Sequence, residues 1–306
     1  MSARDRLTTA GFRLGWRLTR ALPEPLAVAA TARLADTVAA RGGPRVRQLR
    51  RNLARARPQA TAAELDALVR DGLRSYARYW LDVFRLPSWS PERITGTVRA
   101  RGAERVRATL GSGRGVVCFL GHLGNWDHAA AWATFDLAPV VTVAERLEPE
   151  AVYQEFLAFR RSLGMEVLPL GDPATFPTLL RRLRAGAFTA LLADRDLSAT
   201  GVPVDFLGER VSMAAGPATL AVATGAALVP VGVFHEIRDG ERVLVVDFRP
   251  EVPVPAPAPG ESTREHRRRA VATLTQRCAD EIAAAVRAHP DEWHVLQPLV
   301  PAGPER

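Results

Sequence analysis

A histidine and an aspartate five positions apart, His122 and Asp127, stand in the stretch Val116-Val117-Cys118-Phe119-Leu120-Gly121-His122-Leu123-Gly124-Asn125-Trp126-Asp127. An imidazole held at one ring nitrogen by a carboxylate keeps the other free to take a proton from a hydroxyl. Five apolar residues, opened by Gly113 and Gly115 and closed by Gly121, predict a short strand buried on both faces, as in a parallel sheet. Asn125 can cap a following helix that carries Asp127 in its first turn. His122 is then expected at the carboxyl end of a strand, where open α/β sheets place their ligands, with Asp127 reaching back to the imidazole. The competing reading is structural: a His followed by an Asp arises by chance, and an acid in a first helical turn serves the helix dipole.

The elements that must position this pair follow from the rest of the chain. Residues 1–92 read as helices and 93–306 as an α/β core with a C-terminal helix and tail, together one continuous domain. In the helical part, Leu7, Leu14 and Leu18 share one face of an Arg-rich amphipathic segment over 4–22, expected to lie on a membrane or to pack on the core. Helices are expected from Pro25 to about Arg41 and over 45–57. Thr61-Ala62-Ala63-Glu64 forms a capping box opening a long helix with Leu65, Leu68, Val69, Leu73, Tyr76, Trp80 and Val83 on one stripe. That stripe reads as core, or as the wall of an acyl groove.

Strands are expected over 97–100, 116–120, 139–144, 167–170, 188–193, 227–234 and 242–248, alternating with helices except at Asp239-Gly240, which predicts an antiparallel hairpin. The fold class is therefore α/β, a mostly parallel sheet flanked by helices. Charged residues recur just past strand ends: His122, then Glu145 and Arg146, then Asp194, Arg195 and Asp196, followed by a loop with Gly201, Asp205, Phe206 and Gly208. One base, several carboxylates and guanidiniums suit a polyhydroxyl acceptor and a phosphorylated donor. Neither a nucleotide-binding glycine fingerprint nor a Gly-x-Ser-x-Gly elbow occurs.

The 306 residues are 47% hydrophobic and carry a net charge of +8 in which every Lys-or-Arg position is arginine. Arginine favours bidentate contact with phosphate or carboxylate. The arginines are spread over many helices and no nucleic-acid-binding motif is present, so nucleic acid is not expected as a partner. Cys118 and Cys278 read neither as a disulfide framework nor as a metal site. No stretch is long and apolar enough to span a bilayer, so contact with a membrane would be peripheral.

The His-x-x-x-x-Asp block with its buried strand, two glycines and Asn-Trp resembles that of the glycerolipid and lipid A acyltransferases. The resemblance becomes narrower with Thr142-Val143-Ala144-Glu145-Arg146-Leu147, Tyr153 with Arg160-Arg161-Ser162-Leu163-Gly164, Asp194-Arg195-Asp196-Leu197, Val204-Asp205-Phe206-Leu207-Gly208-Glu209, Ala215-Gly216-Pro217-Ala218 and His289-Pro290-Asp291-Glu292-Trp293-His294-Val295-Leu296-Gln297-Pro298. These blocks, in register from about Arg33 to Pro298, resemble the actinobacterial phosphatidylinositol mannoside acyltransferases, within the wider lipid A late acyltransferases.

The resemblance implies transfer of a fatty acyl group, typically palmitoyl, from acyl-CoA to a mannose hydroxyl of phosphatidylinositol mannosides at the cytoplasmic face of the cell membrane. It implies His122 as the base, supported by Asp194, where the family often has the longer glutamate, with Asp127 steadying the loop and orienting the imidazole. Glu145 and Arg160 match residues lining the acceptor and donor pocket. Asn125 and His294 are placed in substrate binding, and Arg195 and Asp196 are assigned there by their position past a strand end. No metal or cofactor is expected beyond acyl-CoA as donor, and backbone amides of the Gly121 to Asn125 loop are expected to hold the oxyanion. The glycerophosphate acyltransferases carry a downstream Glu-Gly-Thr-Arg block that is absent here. A lipid A-type enzyme with another sugar acceptor, an acyl-CoA thioesterase and a non-catalytic membrane-binding protein remain the competing readings.

Overall fold

The computed structural model describes residues 11, 15–16, 19–146, 148–196 and 200–299. The amphipathic segment over 4–22 falls largely outside them, although Trp16 is buried against Phe84, Phe156 and Phe159.

Three helices precede the sheet: α1 (Glu24–Arg41), α2 (Pro44–Ala56) and α3 (Ala62–Arg85). Both halves of the capping box form at the start of α3: Thr61 N–H donates to Glu64 Oε2 at 2.8 Å and Glu64 N–H donates to Thr61 Oγ1 at 3.3 Å. Ala27 and Ala35 bury one face of α1, which packs on α3, while Leu22, Leu26, Leu34 and Val38 remain exposed. A short helix, α4 (Pro91–Gly96), leads into the sheet.

The main sheet is built from β1 (Val98–Arg101), β2 (Val116–Leu120), β3 (Val140–Ala144), β4 (Glu166–Pro169), β5 (Phe188–Leu192), β8 (Ala227–Arg238) and β9 (Glu241–Phe248). Its order is β1-β9-β8-β2-β5-β3-β4, and every neighbouring pair is parallel except the β8–β9 hairpin. The crossover helices are α5 (Ala103–Gly111), α6 (Trp126–Asp136), α7 (Glu150–Ser162), α8 (Thr175–Arg184) and α9 (Gly216–Thr224). The long α10 (Thr263–Ala288) closes the chain before the tail, capped by a second box, Ser262 with Glu265.

β2 is central and all five residues are buried. Its side chains alternate between two apolar layers, with Val116, Cys118 and Leu120 on one face and Val117 and Phe119 on the other. That two-sided burial is why the strand reads as an unbroken apolar run rather than an alternating one.

The segment expected as a loop around Gly201 to Gly208 is instead a two-stranded ribbon, β6 (Val202–Phe206) against β7 (Glu209–Met213). Val204, Phe206, Val211 and Met213 fill the core beneath it. The turn is Leu207-Gly208, both at positive φ, and a leucine there lacks the Asn-Gly or Asp-Gly signature of such hairpins. No helix among the described residues is long and apolar enough to cross a membrane.

Candidate active site

β2, β5 and β3 lie side by side and run the same way, so the loops at their carboxyl ends share one edge of the sheet. Leu120 pairs with Leu192 in the β2–β5 register, and Ala193 N–H donates to Leu120 O at 2.8 Å. Two residues past that pair stand His122 on one strand and Asp194 on the other. Equal counting along two parallel strands thus brings together residues 72 apart in sequence.

His122 Nδ1 lies 2.6 Å from Asp194 Oδ1, and His122 N–H donates to Asp194 Oδ2 at 2.9 Å. The Trp293 indole N–H donates to that same Oδ2 at 3.1 Å. Burial pushes the Asp194 carboxyl upward, but the imidazole, the His122 amide and the indole together hold it below the ordinary carboxylate range. An ionised carboxylate only accepts, which assigns the proton to Nδ1 and leaves Nε2 as an acceptor. The His122 side chain is 22% exposed while Asp194 is sealed. The contact that the shorter aspartate left open in the sequence is therefore direct.

Asp127 does not touch the imidazole. Its two oxygens accept from Arg160 Nε at 2.8 Å and Nη2 at 3.2 Å, and Oδ2 also accepts from Tyr79 O–H at 2.9 Å. Burial lowers the Arg160 guanidinium's affinity for its proton, but Asp127 more than restores it, and the shift is upward. The expectation that Asp127 orients His122 is corrected accordingly: α6 points the carboxylate away from the loop, into a brace that joins α3, α6 and α7.

The loop itself is clamped by the tail. His294 N–H donates to His122 O at 2.8 Å, Gly124 N–H donates to Glu292 O at 2.9 Å, and Leu123 forms a β-bridge with Trp293. Gly124 has φ +62°, and a Cβ there would lie 2.4 Å from Val233 O, so the close pass over β8 requires glycine. Glu292 is anchored in turn: burial pushes it up, but His235 and Arg242 hold its carboxyl at about 2.

A cavity of about 220 Å³ opens beside this pair, lined among others by His122, Tyr76, Tyr79, Trp80, Trp126, Glu145, Phe156, Leu157, Arg160, Arg195 and His294. The stripe on α3 divides: Leu65, Val69, Leu73 and Val83 are core, while Tyr76 and Trp80 line the cavity. Glu145 stands at its exposed rim. His294 is buried, which pushes its pKa down to about 3 and keeps it neutral; its Nε2 pairs with Ser75 Oγ at 3.0 Å and its Nδ1 has no partner.

Two residues placed in binding by the sequence take structural positions. Asn125 is fully buried and its Oδ1 accepts from His128 N–H at 2.9 Å, capping α6. Asp196 is buried and its Oδ2 accepts from Gly201 N–H at 2.8 Å and Ser212 Oγ–H at 3.0 Å, tying the strand end to the β6–β7 ribbon. Neither lines the cavity. Of the expected oxyanion donors, the amides of His122, Leu123 and Gly124 are engaged elsewhere, donating to Asp194, Gly121 O and Glu292 O. Sequence reasoning missed Tyr79, one position before the stripe residue Trp80, and the role of Trp293, which entered only as one letter of the His289–Pro298 block.

Such a pair can act as a general base on a hydroxyl brought into the cavity and return the proton to a leaving group. Residues 7–300 match the bacterial lipid A biosynthesis acyltransferase family. The phosphatidylinositol mannoside acyltransferase of Mycolicibacterium smegmatis is 42% identical over 294 residues, covering 95% of this chain and 91% of that protein. That of Mycobacterium tuberculosis is 42% identical over 292 residues, covering 94% and 86%. With nearly the whole length shared in each case, the chain belongs to the bacterial lipid A biosynthesis acyltransferase family.

Proposed function

We propose that this protein transfers a fatty acyl group, palmitoyl, from acyl-CoA to a mannose hydroxyl of a phosphatidylinositol mannoside, with His122 as general base. The observation that carries the mechanism is the His122–Asp194 pair, its second ring nitrogen without a hydrogen-bond partner among the described residues, beside a cavity walled by aromatic and apolar side chains. The likeness to the two mycobacterial enzymes carries the choice of acceptor.

In this reading His122 Nε2 takes the hydroxyl proton as the mannose oxygen bonds to the thioester carbon, and the carbonyl pair moves onto oxygen. Asp194 stabilises the imidazolium that results. The carbonyl then reforms, the C–S bond breaks, and the imidazolium returns its proton to the departing thiolate, giving free CoA and an ester. The balance needs no other reactant. The exposed Leu26, Leu34 and Val38 of α1, with Leu22 just before it and arginines alongside, support contact with an anionic bilayer, where lipid acceptor and acyl-CoA would meet.

The test is release of CoA from palmitoyl-CoA by purified protein, with and without dimannosylated phosphatidylinositol, alongside His122→Ala. Glycolipid-dependent release that falls about 100- to 10,000-fold in the variant is expected. Release independent of the glycolipid would replace the transferase with a thioesterase, and wild-type rates in the variant would remove His122 from the mechanism.

A further inference from the structure

Two guanidiniums line the His122 cavity, and they differ in partnership. Arg160 is fixed bidentately by Asp127. Arg195 has its Nε buried with no hydrogen-bond partner, and none of the described carboxylates pairs with it. Its neighbour Asp194 is committed to His122 and Trp293. A partly buried cation without a counter-charge is unfavourable unless a partner arrives.

The chemistry at this spot supplies one. As the thioester carbon becomes tetrahedral, its oxygen takes negative charge and requires donors already in place. The amides of His122, Leu123 and Gly124 are not available for it. Phosphate is the other anion a guanidinium could meet, but the substrates hold theirs at a distance. The pantetheine arm separates the thioester from the CoA phosphates, and the inositol ring separates the glycolipid's phosphodiester from its mannoses. A side chain lining the same small cavity as the base is closer to where the carbonyl would react.

We infer that Arg195 donates to the thioester carbonyl oxygen and holds the oxyanion of the tetrahedral intermediate. This rests on the acyl-transfer reading of the site. Register supports the placement: Asp194 sits opposite His122 across β5 and β2, so the next residue leaves the strand end beside the base. Base and oxyanion donor would then be set by one pair of strands.

The experiment measures kcat and KM for palmitoyl-CoA and dimannosylated phosphatidylinositol in Arg195→Gln, with His122→Ala and wild type in parallel and thermal unfolding followed for each. In Arg195→Gln, kcat is expected to fall about 100- to 1000-fold, with both KM values within about threefold of wild type. Added guanidinium ion is expected to restore part of the lost rate in Arg195→Ala but not in His122→Ala, a response that a folding defect would not give. Raised KM with unchanged kcat would overturn the inference in favour of a ground-state anion anchor, and unchanged values for both would overturn it outright. A wild type no faster than His122→Ala would instead bring down the acyl-transfer reading itself.

Discussion

Two buried carboxylates flank the loop after β2, and they are held by opposite kinds of partner. Asp194 accepts from an amide, an indole and an imidazole, none of which carries a fixed charge. Asp127 accepts from a guanidinium and a phenol, so its charge is already neutralised. Only the first can strengthen its interaction when an imidazolium forms beside it. The second cross-links three helices around the cavity. A carboxylate's role is thus set by the charge of its existing donors more than by its distance from the histidine in sequence.

Breaking the Asp127 brace is expected to have the largest effect on stability. Asp127→Ala leaves Arg160 buried and unpaired, and about 3–5 kcal/mol is expected to be lost in urea unfolding. The double variant with Arg160→Met is expected to recover much of that, and failure to recover would mean that the pair is not the main tie.

A smaller change separates the two sites from the other side. Trp293→Phe removes one of three donors to Asp194 without removing the carboxylate, and a roughly tenfold fall in kcat is expected from a lost hydrogen bond to a charged group. Unfolding is measured alongside, because the smaller ring also leaves space in the core. An equal fall for an isosteric residue lacking only the indole N–H would sharpen the assignment to that bond.

The smallest effect concerns His128, next to Asp127 on α6. Burial lowers its pKa to about 4 although Nε2 bonds to Ile94 O at 3.0 Å. Between the unfolded value of about 6.5 and that folded value, the unfolded chain binds a proton that the native state does not. Stability is therefore full above pH 6.5 and falls as pH drops toward 4. His128→Gln, which can keep a donor to Ile94 O, is expected to flatten stability across that window. An unchanged slope would assign it to other groups, such as His294.

Much of this architecture is legible before any coordinates. The apolar run of β2, the Thr61–Glu64 box and the Asp239-Gly240 turn each state a local physical requirement, and each element forms where that requirement puts it. The pairing of His122 with Asp194 is a matter of register, and register appears in the chain only as two apolar runs ending equally far before a polar residue. Asp127 misled because helix α6 turns it away from the loop it follows. Trp293 was hidden for a different reason: a buried indole looks like core until its N–H is seen to meet a carboxylate. Asp196 looked like a site residue because it follows a strand end, yet its neighbours are the β6–β7 ribbon that an atypical turn concealed.

The central claim is that Asp194, and not Asp127, serves the imidazole. The direct measurement is kcat for glycolipid-dependent CoA release in Asp194→Asn and Asp127→Asn, each compared with wild type under conditions where both variants are folded. Asp194→Asn is expected to lose about 100-fold or more, as when a carboxylate–imidazole pair loses its charge and tautomer control, while Asp127→Asn stays within about tenfold of wild type. The reverse order would return Asp127 to the histidine and contradict the account.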